Sequence, residues 1–413
     1  MSVQTPVVPP PSAAGDPASD DALQRQIGRR AMLRGLGLAG ATIVVAGAGG
    51  LSYRVFDNGV LDSGSGDPYE AWTHWRSDAT LTGAVGAAIL AANPHNTQPW
   101  IFEITDTTVD VFTDQSRRMP ETDPFGREHH VGIGCALENL VLAARARGLE
   151  PAVTLLPTAG DPLHLAHVTT TTRPAASSSL HEAIGSRHSN RGPYTSTPLA
   201  EATLAGFSDL AADLSGLTVR WLTTDSEKAA LGALMLDAAQ AVVDDERSSA
   251  EGFGWFRNDR DDIDRFRDGL TLDGQGMTDT TLALGKILPA SSRVAGDQFW
   301  LEQTRSVHTA TAAAYGVLLA ADPSDVRTRL AGGRLLQRTH LSATAEGLGL
   351  QHMNQITERI GRERSIGVAA TFAPRFDALI GEPGLAGLCA FRAGHPVGLG
   401  RPSPRRTLAA VIR

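Results

Sequence analysis

The sequence predicts an α+β chain of two globular units, and three observations carry that expectation. Long runs of helical character, 127–147 and 227–247, are separated by short stretches of strand character. Two of those stretches, Trp100 to Thr105 and Val109 to Thr113, flank the turn Asp106-Thr107-Thr108 and predict a hairpin. The chain has 413 residues, long enough for two units, and each unit runs roughly helix, helix, strand, long helix with no residue-level repeat.

Composition narrows the function classes. Apolar residues make up 42% and charged residues 20%, which excludes a fully disordered chain. The formal net charge of −8 argues against a global electrostatic nucleic-acid binder. Only Lys228 and Lys286 are lysines, so arginine supplies nearly all the cationic charge. Two cysteines, Cys135 and Cys389, each in an apolar run, exclude a disulfide scaffold and read as small core residues.

Residues 1–28 form a Pro- and Ser/Ala/Asp-rich tail with almost nothing to bury. Arg29-Arg30-Ala31-Met32-Leu33-Arg34 then precedes 19 uncharged residues, Gly35 to Tyr53, closing on small residues at Ala46-Gly47-Ala48. A basic start, an apolar run and a small-residue end are the layout of an export signal. The run is also just long enough to anchor in a bilayer, with the body outside the cytoplasm by its flanking arginines. A buried helix in a cytoplasmic protein is the alternative. Residues 55–68 are a linker by composition.

The first unit, 69–178, is expected to open with a helix from Tyr69 to Ala92 that breaks at Asn93-Pro94. After the hairpin come a helix over 127–147, with Gly148 just past its end, and strands at Ala152–Leu156 and Leu163–Thr169. The second unit, 179–413, predicts helices at His181–Arg187, Leu199–Leu214, Glu227–Arg247, Phe299–Ala321 and Asp325–Glu346. Strands are expected at Leu217–Leu222 and Leu385–Ala390. Residues 251–300 set six large aromatics among many Asp, Arg and Gly, a mixture suited to a lid or to an anchored loop.

Three segments carry candidate chemistry. In Asn93-Pro94-His95-Asn96-Thr97-Gln98-Pro99-Trp100, the amides of Asn93, Asn96 and Gln98 can each donate and accept toward a flat heterocycle. His95 lies in the same loop. In Arg187-His188-Ser189-Asn190-Arg191, two arginines and a hydroxyl at alternate positions can converge on one phosphate if the segment is extended. The tail Arg401-Pro402-Ser403-Pro404-Arg405-Arg406 offers further cationic donors. His129-His130 and His164/His167 have no carboxylate or cysteine set at ligand spacing, so no metal is expected.

Together, the N-x-Q-P-W loop, the R-x-S-x-R segment and the basic C-terminal end resemble the nitroreductase-like FMN flavoproteins. Asp123-Pro124-Phe125-Gly126-Arg127-Glu128 and Gly347-Leu348-Gly349-Leu350-Gln351-His352-Met353-Asn354 extend the likeness. Within that family the chain is similar to the Acg-type FMN-binding proteins, in which one chain holds two nitroreductase-like halves. The basic N-terminal run resembles a twin-arginine (Tat) signal. The resemblance implies two halves, each a mainly antiparallel sheet flanked by helices, folded as a single-chain pseudo-dimer with one FMN site.

It also implies residue roles. Arg187 and Arg191, with Arg405 or Arg406, would hold the phosphate, and Ser189 would support it or the ribityl chain. Asn93 and Asn96 would face the pyrimidine edge of the ring, and backbone N–H groups of Met353 and Asn354 would approach flavin N5. The implied activity is hydride transfer from a reduced donor through FMN to a nitroaromatic- or quinone-like acceptor, with the flavin and not a protein side chain carrying the chemistry. The alternative is a flavin-storing protein with little turnover, closed by a lid at 251–300. The partners implied are small-molecule donor and acceptor, no nucleic acid, and the Tat translocon and membrane through residues 29–54.

Overall fold

The computed structural model describes residues 59–60 and 63–413. The tail, the export-type run and residues 55–58 and 61–62 of the linker lie outside the described residues. Among the described residues no helix is long and apolar enough to cross a membrane.

The architecture is α+β, with two antiparallel sheets flanked by helices. Strands β1 (Trp100–Ile104), β2 (Thr108–Thr113), β3 (Leu149–Leu155) and β4 (His164–Thr172) form the first sheet, in the order β1-β2-β4-β3. Strands β5 (Leu217–Leu222), β8 (Ala314–Ala320), β9 (Gly349–His352) and β10 (Ala386–Gly394) form the second, in the order β5-β8-β10-β9. Between β5 and β8 in sequence, β6 (Phe256–Arg257) and β7 (Leu270–Thr271) make a small parallel pair. The hairpin expected at 100–113 is present, with Trp100 opposite Thr113. Val109 and Val111 point into the core while Thr108, Asp110 and Phe112 face outward.

Sequence expectation and structure part at three places. The stretch 299–321, expected to be helical throughout, is a helix at Arg293–Gln303, a π turn at Thr304–His308 and the strand β8. Every residue of β8 is buried, because it lies between β5 and β10 with both faces covered. Such a strand loses the polar alternation that distinguishes it from a buried helix. The run Tyr69–Ala92 is broken: the Asp78 carboxylate accepts the Thr80 amide at 2.7 Å, and the helix restarts as Leu81–Ala88. The helix expected at 199–214 is only Glu201–Asp209.

Helices Arg127–Ala146 and Val326–Ala345 cross to join the halves. Gly134 and Gly333 sit at the crossing, where a Cβ would lie 2.2 Å from the Leu330 carbonyl oxygen and 2.0 Å from that of Val131. Only glycine permits that approach. Beside it, buried Glu138 accepts from Arg334 and Arg338 at 2.7 Å each, and Gln337 donates to Asn139 at 2.8 Å. One apolar core runs through this seam, from Trp100 and Phe102 past Leu137 and Leu140 to Leu335 and Phe391.

The chain end crosses back to the first half. Phe102 donates to Val411 O at 2.8 Å, and the Arg413 amide donates to Phe102 O at 3.0 Å. This return draws residues 401–406 past the 93–98 loop. The third candidate segment thereby meets the first, some three hundred residues earlier in the chain.

Candidate functional site

The 93–98 loop holds an unusual backbone. His95, Asn96 and Gln98 all have positive φ, of 46°, 55° and 51°. Side chains other than glycine enter that region at a cost, so surrounding contacts must enforce it. The loop's own amides do so. Asn93 Oδ1 accepts the Gln98 amide at 2.7 Å. Asn96 Nδ2 donates to Gly269 O at 3.2 Å and Pro404 O at 2.9 Å, and its Oδ1 accepts from Arg405 at 2.5 Å. Gln98 Nε2 donates to Arg267 O at 2.8 Å, and its Oε1 accepts the Arg406 amide at 2.8 Å. Asn96 and Gln98 therefore fasten the loop to the C-terminal tail and to the 251–300 segment.

Beside this loop is a cluster of arginines. A small pocket of about 50 Å³ is lined by Asn96, Arg187, Ser189, Arg191, Ser403 and Arg405. Arg187 donates to Leu90 O at 3.0 Å, Arg191 to Gly274 O at 3.0 Å, and Arg405 to Ser403 Oγ at 2.6 Å. Trp72 lies against the cluster, with Arg405 4.7 Å and Arg187 5.7 Å from its ring centre. Among the described residues no carboxylate pairs with Arg187, Arg191 or Arg405. Burial lowers the pKa of Arg187 to about 10, and burial with Arg392 nearby does the same to Arg191. Burial and the Arg187 charge push Arg405 well down. The buried Nε atoms of Arg187 and Arg405 have no partner. Nearby histidines add no charge at neutral pH. Burial and Arg191 lower His95 to about 4; burial with Arg187 and Arg405 lowers His188 to about 3.

The pocket adjoins a cavity of about 1260 Å³, and Asn93, Ser189 and Arg191 line both. His95, Met353 and Asn354 line the larger one. The Met353 amide donates to Ala390 O at 2.8 Å, so that N–H serves the sheet and is not directed at a ligand. Gln98 and Arg406 line neither cavity. Arg406 instead donates to Gln98 O and Ala410 O and pairs with Asp114.

Residues 251–300 form part of the wall of the large cavity, to which Phe253, Phe256, Phe299 and Trp300 contribute. This segment is fastened to the first half by Asp268, which accepts from Arg117 at 2.8 Å, and by Glu251, which accepts the Thr122 amide at 2.7 Å. Sequence reasoning missed Glu128 and Glu358, which meet on the cavity wall from two different helices. Burial first, then the neighbouring carboxylates, raises Glu128 well up and Glu358 to about 7, so the pair retains a proton at neutral pH. Their meeting depends on tertiary packing, and no local motif marks it. The arrangement can bind a phosphorylated aromatic ligand, shield it from water and hold a proton beside it.

No protein-family model matches the chain. The chain is 30% identical over 174 residues to Rv3131 of Mycobacterium tuberculosis, provisionally named an NAD(P)H nitroreductase; the match covers 42% of this chain and 48% of Rv3131. It is 39% identical over 88 residues to Acg of the same organism, provisionally named likewise, covering 21% of this chain and 27% of Acg. The chain thus spans about half the length of Rv3131 and less of Acg. Similar solved structures include the FMN-dependent nitroreductase NfnB from Mycobacterium smegmatis in complex with NADPH, at 15% identity, 57% of this chain, 97% of that one and a TM-score of 0.32. Another is a nitroreductase with bound FMN from Desulfitobacterium hafniense, at 14% identity, 56% and 95% coverage and a TM-score of 0.33. Over the matched part, the chain is thus similar in sequence to proteins provisionally named NAD(P)H nitroreductases.

Proposed function

We propose that the chain is an Acg-type flavoprotein that binds one FMN and transfers reducing equivalents from NAD(P)H to a nitroaromatic- or quinone-like acceptor. The observation that carries this reading is the cluster of buried Arg187 and Arg405 with half-buried Arg191, Ser189 beside it and no carboxylate among the described residues to neutralise it. A cluster of like charges out of water calls for an anion, and a phosphate can accept from several guanidinium groups at once. The unpartnered Nε atoms of Arg187 and Arg405 fit that need.

In this reading FMN supplies the hydride chemistry when bound. Arg187, Arg191, Arg405 and Ser189 hold its phosphate end, while Asn93 and His95 line the wall for its ring. Asn354 fixes that wall, since its Oδ1 accepts the Ala390 amide at 2.9 Å. Glu128 and Glu358 hold a proton at the cavity wall, and the 251–300 segment keeps water out.

A flavin store is the second reading, favoured by the 251–300 segment, which lines the cavity and is tied down at Asp268 and Glu251. An absorbance spectrum of the purified protein, followed by anaerobic NADPH addition, separates the two. Flavin that bleaches with NADPH and recovers with a quinone supports the enzyme. Bound flavin that stays oxidised supports the store. Absence of flavin, FAD in its place, or two flavins per chain would overturn both. Deleting residues 258–280 is expected to raise quinone-reductase turnover and lower flavin retention; no change in either would place the segment outside the mechanism.

We further propose that residues 29–54 direct export or anchoring, with twin-arginine character as the support. Arg29→Lys with Arg30→Lys is expected to leave a fused reporter in the cytoplasm, and unchanged export would overturn this.

A further inference from the structure

We propose that Asp110, His164 and His167 form a binding site for one divalent transition cation, with Zn(II) as the reference ion, on the outer face of the first sheet. None of the three lines either cavity, so the site is separate from the proposed flavin site and does not depend on it.

The geometry arises from a fault in strand pairing. His164 and His167 are three residues apart on β4, and in a regular strand they would point to opposite faces. The β2–β4 register slips between Val111 and Phe112: Val111 stands opposite Ala166, but Phe112 stands opposite His164. Leu165 is the extra residue, and both Leu165 and Ala166 turn into the core. A bulge re-aims the side chains on either side of it. Here it leaves His164 and His167 on the outer face with Asp110, whose direct cross-strand partner is His167.

The donor atoms converge. Asp110 Oδ1 is 2.7 Å from His164 Nε2 and 2.7 Å from His167 Nδ1, and the three ligand atoms all lie within 4.8 Å of one another. Around an ion with bonds of about 2.0–2.1 Å, tetrahedral donors stand about 3.3 Å apart. The carboxylate needs to withdraw by only about half an ångström. The side chains are part-buried: 13% exposed for His164, 21% for Asp110 and 33% for His167. Solvent can therefore supply the remaining ligands. Two imidazoles and one carboxylate suit a borderline ion such as Zn(II) more than the hard, all-oxygen preference of Mg(II) or Ca(II).

The surroundings orient His164. Its Nδ1 lies 3.0 Å from Thr158 Oγ1, and its ring stacks on Phe112 with centres 4.4 Å apart. Without the ion, each imidazole donates an N–H to Asp110. With the ion, His164 Nε2 becomes a ligand and its proton moves to Nδ1, where the Thr158 hydroxyl can accept it. Arg413 also stacks on Phe112, at 4.0 Å, but it pairs with Glu103 at 2.6 Å, which offsets its charge. A bound ion would clip β2 to β4 across the bulge.

The test uses the untagged full chain, stripped with chelator and titrated with ZnCl₂ by calorimetry at pH 7.5, with Co(II) absorption as a second readout. One ion per chain and a visible Co(II) band of low-coordinate character are expected. His167→Ala, at the most exposed of the three ligands, is expected to weaken Zn(II) binding by about 100-fold or more, and Thr158→Ala by about 10-fold. Asp110→Asn, which retains a hydrogen-bond acceptor and guards against misfolding, is expected to lose the Co(II) band. Absence of binding, or binding that survives His164→Ala and His167→Ala in chains with unchanged circular dichroism, would overturn the proposal.

Discussion

Two groups of arginines in this molecule meet opposite fates. At the seam between the halves, Arg334 and Arg338 pair with buried Glu138, and Arg338 also pairs with Asp213. A second paired group joins Arg359 and Arg362 to Asp245. Burial works to raise the Asp245 pKa, but its hydrogen bonds from Arg362 and Arg359 outweigh that and hold it low. At the small pocket, Arg187, Arg191 and Arg405 meet backbone carbonyls, hydroxyls and amides but no carboxylate, and burial drives all three down. Residue type is the same in both places. The presence or absence of a counter-charge separates the arginines of the seam from those of the small pocket.

Acid should separate the two groups most strongly. His95, His188 and His352 lie near the unpaired arginines, and burial lowers them to about 4, 3 and 3. Their ordinary value is about 6.5, so below that pH the unfolded chain binds protons that the folded one does not. Their stabilising contribution is complete above pH 6.5 and is lost as pH falls towards 4. The loss is up to about 1.4 kcal/mol per histidine per pH unit. The Glu128–Glu358 pair acts in the opposite sense, since its raised values favour the folded state at lower pH. Urea unfolding at pH 7 and pH 5 is expected to show a net loss of stability, to which His129 and His130, lowered by burial to about 3 and about 4, also contribute. A saturating phosphorylated ligand should reduce that loss; indifference to ligand would detach the histidines from the site.

Removing the seam's counter-charge is the next largest effect. Glu138→Ala leaves two guanidiniums facing each other in the seam, and stability is expected to fall by about 3–5 kcal/mol. FMN affinity of the folded fraction should stay unchanged. A shift in affinity as large as the shift in stability would show that the two clusters are coupled.

Arg191→Ala should do the converse. Loss of one charge-assisted phosphate contact is expected to weaken FMN binding by about 2–4 kcal/mol, read from flavin fluorescence on dilution. Stability without flavin should hold or rise, because one member of a repelling cluster is gone. Wild-type affinity in this variant would make Arg191 a solvated turn residue.

The smallest effect is expected at Asn96→Ala, about 1–2 kcal/mol in FMN affinity. Asn96 is the hinge between the loop, the 251–300 segment and Arg405, so the variant should also show faster proteolysis near 251–300. A loss of affinity with no change in proteolysis would indicate direct contact with the ring.

Much of this was legible in the chain. The hairpin at 100–113, the helix from Arg127 ended before Gly148, and the strand Leu217–Leu222 follow from local pattern and turn chemistry. So do the segments that meet at the pocket: Asn93, Ser189, Arg191 and Arg405 all line it. Strand β8 was hidden, because full burial erases the alternation that marks a strand. Gln98 and Arg406 looked like ligand contacts by residue type, yet they bind each other.

The sequence by itself determined which chemical groups were available and the local elements that carry them, since propensity, capping and spacing act over a few residues. Tertiary structure alone decided which arginines keep a carboxylate partner and which do not. It brought Glu128 to Glu358, set the Gly134–Gly333 crossing, and turned His164 and His167 to one face with Asp110 through a one-residue slip in pairing. Those outcomes depend on contacts between residues far apart in the chain, and on the cost of leaving a charge buried without a partner.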